Sequence, residues 1–167
     1  MSLDSQYTHN MTVIVLSFFV ALLLSVFPLP VSWAWYRPEF VALLVVYWVM
    51  ALPQNVGVGI AFTAGLLQDI AEHAVLGQHA LALVAVAYVC MLSYRRIRNY
   101  ALWQQSAWVF VLVGLHQLFW NWVHGFKGPA AQSLIFLVPA LVSALIWPFV
   151  LIVMEWIRMR THKPRYQ

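Results

Sequence analysis

Residues 37–81 read RPEFVALLVVYWVMALPQNVGVGIAFTAGLLQDIAEHAVLGQHAL, and their patterning decides the fold. Two short apolar segments flank a Pro53-Gln54-Asn55 break, and the stretch carries Arg37, Glu39, Asp69 and Glu72. In the second segment Gly57, Ala61, Gly65 and Asp69 recur every four residues, and His73 continues the series. Positions four apart on a helix lie nearly above one another. Gly57, Ala61 and Gly65 therefore form a stripe of small residues on which another backbone can pack closely. Asp69 lies on the same face, which turns it toward protein rather than lipid, where an intramembrane carboxylate costs least. The alternative is a packing stripe that ends at the interface in a solvated Asp69.

Folding the chain back at Pro53-Gln54-Asn55 makes the two segments, 38–52 and 56–70, an antiparallel helical hairpin. Arg37 then falls level with Ala71, and Glu39 level with Asp69. The expectation is an ion pair from Arg37 to Asp69 or Glu72 near one mouth of the bundle. The alternative is an Arg37 that snorkels to lipid headgroups. Each segment covers only about 22 Å at 1.5 Å per residue, less than the ~30 Å hydrocarbon thickness.

Working outward, the chain has 167 residues, 63% hydrophobic and 8% charged, with mean hydropathy +0.80. Soluble domains carry about 25% charged residues, so this composition points to an all-α polytopic membrane bundle. The length allows one integral-membrane domain, 1–167, with roughly six spans of about 20 residues. The spans read from hydropathy are 9–29, 38–52, 56–70, 77–94, 103–124 and 132–157, with Pro139 and Pro148 as kinks in the last. Asp4 and the lack of Lys or Arg before the first span argue for a retained helix over a signal peptide. Trp33, Trp35 and Tyr36 form a link that fits the headgroup belt or a contact surface for a partner.

Arg95, Arg96, Arg98, Arg158, Arg160, Lys163 and Arg165 lie on one side if two spans separate the two groups, and they are seven of the nine Lys and Arg residues. The positive-inside rule places them, and with them both termini, in the cytoplasm. Arg37, Asp69 and Glu72 then face outward. A net charge of +4 distributed in this way sets orientation and does not point to nucleic acid. The single cysteine, Cys90, precludes an internal disulfide.

A second polar group lies in the fifth span: His116, Gln117, Asn121 and His124. Gln117, Asn121 and His124 share a face at i, i+4 and i+7, as interhelical glue or as a pocket lining. Asp69, Glu72, His73 and His79 match no metal-ligand spacing, so no metal or cofactor is expected. The chain has no G-x-S-x-G, H-E-x-x-H or Walker run. The expected role is therefore not enzymatic.

The residues Arg37-Pro38-Glu39, Tyr47-Trp48, Leu52-Pro53, Gly57, Phe62, Gly65-Leu66, Asp69, Leu76-Gly77 and Ala80-Leu81 resemble the signature of MreD, the rod shape-determining membrane protein family. Weaker echoes are Ala101-Leu102-Trp103-Gln104-Gln105 and Trp147-Pro148. His73 departs from the pattern, standing where the family usually carries a small residue such as Gly. The resemblance implies a non-catalytic inner-membrane scaffold of the cell-wall elongation complex, acting in peptidoglycan synthesis and cell shape. It implies direct contact with MreC and a shared complex with MreB, RodA and a class B penicillin-binding transpeptidase. It also implies a likeness to the six-helix substrate-binding subunits of energy-coupling-factor transporters. The competing reading is therefore an outward-facing binder of a small molecule or lipid, with Arg37, Glu39, Asp69, Glu72 and His79 near its mouth. An outward cavity of about 300 Å³ or more lined by these polar groups would favour the binder, and a sealed bundle the scaffold.

Overall fold

The computed structural model describes residues 3–28, 30, 36–125 and 134–161, with the backbone alone at 3–10, 124, 134 and 161. Every described element is helical. The order is α1 (Leu3–Val26), α2 (Phe40–Ala51), α3 (Val58–Ala71), α4 (Gln78–Ile97), α5 (Leu102–Gly125), a short 3₁₀ turn (Leu134–Leu137) and α6 (Val138–Thr161). The link at 31–35, Lys127, and the tail residues Lys163 and Arg165 lie outside the described residues.

α2 is the axis of the bundle. Its 12 residues are apolar on every side, and all ten from Val41 to Met50 are buried. A helix that is hydrophobic all round has no solvent or polar face to present, so its neighbours enclose it. α4 and α1 pack against α2, and Trp48 locks α1 in place by donating its Nε1–H to Ser17 Oγ at 2.9 Å. α2 stops at Leu52, whose φ of −139° and ψ of 67° are non-helical. Pro53 follows it, and a proline disfavours helical geometry in the residue before it.

The small-residue stripe on α3 faces α4, not α2. A Cβ added at Gly65 would lie 2.3 Å from Ala80 Cα and 2.6 Å from Ala80 N, so the two backbones touch there. Ala61 is fully buried on the same face. α3 meets α2 only slightly. The antiparallel hairpin expected of segments 38–52 and 56–70 is thus not built on this stripe, which packs on α4 instead. The link after α3 turns sharply, with His73 at φ 52° and Gly77 at φ 95°, and delivers the start of α4 directly onto Gly65. α2 is buried chiefly against α4 and α1 instead.

The remaining boundaries follow local chemistry. Ala101 N–H donates to Gln104 Oε1 at 3.1 Å, the return half of a capping box that starts α5. Pro139 lies in the first turn of α6, where its missing N–H costs nothing. Of the two expected kinks, only Pro148 lies in the helix interior. α1 begins earlier than expected and ends at Val26, and Pro28 follows closely.

The outside of the bundle is apolar. Leu16 and Phe19 of α1, Leu81 and Leu92 of α4, and Leu145 and Phe149 of α6 are each more than half exposed. Large apolar side chains exposed on several helices in this way suit contact with lipid. Two helices, Gln78–Ile97 and Ile135–Arg160, are long and apolar enough to cross a membrane; Met11–Val26, Phe40–Ala51 and Val58–Ala71 are shorter apolar helices.

Candidate functional site

Where α2 begins, α3 ends and α4 begins, the interior turns polar. Asp69, in the last turn of α3, is 1% exposed. Its carboxylate accepts the backbone N–H groups of Gly77 and His79 at 2.8 Å each, and of Ala80 at 3.4 Å. These are among the donors that the first turn of α4 cannot satisfy by itself. Asp69 is thus the cap of a helix to which it does not belong, and its charge sits at the positive end of that helix.

The same carboxylate fixes His79. Nδ1 of His79 lies 2.9 Å from Asp69 Oδ1, and because a carboxylate only accepts, Nδ1 carries the proton. Nε2 then points toward Glu72 Oε2 at 3.7 Å. Glu72 in turn accepts from Gln68 Nε2 at 3.0 Å. Facing this set is Glu39, the residue before α2. Its Oε1 accepts from Gln117 Nε2 at 2.8 Å, and its own N–H donates to Ser143 Oγ at 2.9 Å. His116 of α5 joins the halves: its ring centroid lies 5.6 Å from that of His79, and its Nδ1 is 4.0 Å from Glu39 Oε2.

Five helices therefore contribute to one polar cluster. Asp69, His79, His116, Gln117 and Ser143 are buried, whereas the Glu39 and Glu72 side chains are 20% and 25% exposed. The cluster presents two carboxylates at its rim and keeps the rest inside. Neither ring nitrogen of His116 makes a hydrogen bond, nor does Gln68 Oε1. Among the described residues, no three His, Cys, Asp or Glu side chains are grouped so as to hold a metal ion.

Of the residues singled out in the sequence, Glu39, Asp69, Glu72, His79 and Gln117 come together here. Arg37 does not join them. Its Nη1 donates to the carbonyl of Ser25, and its Nη2 to that of Phe27 at 2.6 Å. Those carbonyls lie at the end of α1, where unpaired C=O groups attract a cation. The ion pair expected from Arg37 to Asp69 or Glu72 is absent because α4 and His79 have already taken Asp69, and His79 faces Glu72. Asn121 is half-buried one turn further along α5, and the side chain of His124 lies outside the described residues. Gly57, Ala61 and Gly65 serve the α3–α4 contact; Gly57 lies near Met91 Sδ.

Gln68 and Ser143 were not singled out, and His116 was named among the polar residues of α5 but left off the face of Gln117, Asn121 and His124. His116 ends a buried face on α5, Val109, Leu112, Val113 and His116, at i, i+3, i+4 and i+7. That apolar stripe running into a histidine was the signal in the sequence.

A cavity of about 530 Å³ opens elsewhere, between α1 and α6 above α2. Residues such as Leu43, Leu44 and Val153 line it, and the polar cluster does not.

Residues 6–157 match the profile of the family described as rod shape-determining protein MreD. The chain is also similar to the rod shape-determining protein MreD of Haemophilus influenzae, 33% identical over 159 residues, which cover 87% of this chain and 91% of that relative. No solved structure matches the chain. Family match and relative agree over nearly the whole length, and the chain belongs to the MreD family of rod shape-determining proteins.

Proposed function

We propose that the protein is a non-catalytic scaffold of the cell-wall elongation complex, a six-span inner-membrane domain with both termini in the cytoplasm. Membership of the family gives it a role in cell shape. The scaffold reading adds direct contact with MreC, in a complex that also holds MreB, RodA and a class B penicillin-binding transpeptidase. The apolar belt on α1, α4 and α6 supports immersion in lipid. The placement of seven of the nine Lys and Arg residues supports the orientation.

The observation that carries this reading is how Asp69 is used. Its carboxylate is occupied by three backbone N–H groups and the His79 ring, an architectural task that leaves it no lone pair for chemistry. What that architecture displays is the pair of part-exposed carboxylates, Glu39 and Glu72, at one end of the bundle. Such a rim suits a partner that brings N–H donors or cationic side chains to the membrane surface.

The test is a pull-down of MreC from native membranes. Wild-type protein and Arg37→Ala should retain MreC. A Glu39→Gln/Glu72→Gln variant should accumulate normally and lose it. Asp69→Ala should lower the amount of folded protein itself. Full retention of MreC by the double glutamine variant would remove the rim from the proposal.

A second reading is favoured by His116. A fully buried imidazole without a hydrogen-bond partner, facing other polar groups, suits a small polar guest. That is the behaviour of an outward-facing binder similar to the substrate-binding subunits of energy-coupling-factor transporters. A stoichiometric small molecule co-purifying with wild-type protein and absent from His116→Phe would establish it.

A further inference from the structure

The groove between α1 and α6 has walls from Val20 and Leu24 on one side and Phe149 and Val153 on the other, with Leu43 and Leu44 as its floor. Ser17 also lines it, but its hydroxyl donates to Ile14 O and accepts from Trp48 Nε1. Nothing in the groove therefore calls for a polar guest. Its volume of about 530 Å³ is that of a binding site, not of a packing defect.

Length and charge select the occupant. Along α6 the lining runs from Ile146 to Ile157, about 16 Å at 1.5 Å per residue. That is roughly half of the ~30 Å hydrocarbon thickness. A partner helix crossing the membrane would need a seam along the whole thickness, whereas an acyl chain occupies one leaflet. One turn beyond Ile157, at one end of the groove, stands Arg160. Val153, Ile157 and Arg160 share a face of α6 at i, i+4 and i+7. The Arg160 guanidinium is exposed and lies 4.2 Å over the Trp156 ring. An arginine held over an interfacial aromatic, one turn beyond an apolar groove, fits a phosphate-bearing acidic headgroup.

We propose that this groove holds one acyl chain of an acidic phospholipid, whose headgroup is bound at Arg160. The inference is independent of the MreC contact and uses only the groove, the charge at its end and immersion in the membrane.

The experiment is native mass spectrometry of the full chain, delipidated in detergent and offered phosphatidylglycerol or phosphatidylethanolamine. Wild-type protein should retain one phosphatidylglycerol in preference. Val153→Trp, which fills the groove from a part-exposed position, should lose it. Leu145→Trp, at an α6 position 73% exposed and outside the lining, should keep it and controls for folding. Arg160→Gln should still hold a lipid, with its acidic preference lowered about fivefold. The proposal is overturned if Val153→Trp retains as much phosphatidylglycerol as wild type, or if wild type does not prefer it. A photoreactive residue at position 20 that captures a protein in cells, instead of lipid, overturns it as well.

Discussion

Asp69 Oδ1 accepts both the backbone N–H and the ring Nδ1–H of His79, at 2.8 and 2.9 Å. One oxygen thus starts helix α4 and orients the imidazole that faces Glu72. The end of α3, the start of α4 and the polar cluster are for this reason a single structural unit. Removing the carboxylate strands the N–H groups of Gly77, His79 and Ala80 in a region where Asp69 itself is 1% exposed. Asp69→Ala should cost about 3 kcal/mol, from a lost cap and unsatisfied buried donors. Asp69→Asn keeps one accepting oxygen, and its loss should be smaller. Thermal unfolding in detergent measures both, and equal melting of Asp69→Ala and wild type would refute the capping role.

The glycines of the α3 stripe are not equivalent. At Gly65 an added Cβ meets the Ala80 backbone at 2.3 Å, and backbone cannot swing aside. At Gly57 the nearest atom is Met91 Sδ at 3.7 Å, an ordinary contact. Gly65→Ala should therefore destabilise by about 3 kcal/mol, the upper end of overpacking, by prising α3 from α4. Gly57→Ala should stay within about 0.5 kcal/mol of wild type. Similar losses at the two positions would mean that the helices do not touch where Gly65 meets Ala80.

His73 stands at a position where the backbone has φ 52°. Left-handed geometry costs a residue with a Cβ about 1 kcal/mol. Histidine therefore occupies this turn under mild strain. His73→Gly should raise the melting temperature slightly, relief of strain exceeding the added chain entropy. His73→Val, β-branched, should lower it. Melting temperatures moving in the opposite directions would show that the turn is not left-handed at residue 73.

The sequence showed which residues are unusual more clearly than it showed their partners. The apolar run from Val41 to Met50 made α2 legible, and four-residue spacing turned Asp69 inward. Pairing was decided by shape. The stripe of Gly57, Ala61 and Gly65 advertises a close contact without saying with whom, and the nearest helix before it in sequence was the wrong choice. α4 won because a tight turn lays its first residues across Gly65. His116 was named with the polar residues of α5 but given no role, because the face was drawn through Gln117, Asn121 and His124. The two weaker echoes of the family proved to be one contact. Trp147 Nε1–H donates to Gln105 Oε1 at 3.3 Å, which joins α6 to the start of α5. A hydrogen bond between residues 42 positions apart leaves no local trace in spacing.

Arg37 gives the sharpest test of the revised pairing. Its guanidinium holds the carbonyls of Ser25 and Phe27, so Arg37→Ala should loosen the end of α1 and leave Asp69 undisturbed. A double-mutant cycle separates the two arrangements. If Arg37 and Asp69 have separate partners, the effects of Arg37→Ala and Asp69→Ala add to within about 0.5 kcal/mol. If they were an ion pair, the cycle would show coupling of about 1 kcal/mol or more. The Asp69→Ala and His79→Ala cycle is the positive control. Those side chains share a 2.9 Å contact and should couple strongly. Coupling of Arg37 to Asp69 as large as that of His79 to Asp69 would restore the hairpin ion pair and undo the assignment of Arg37 to α1.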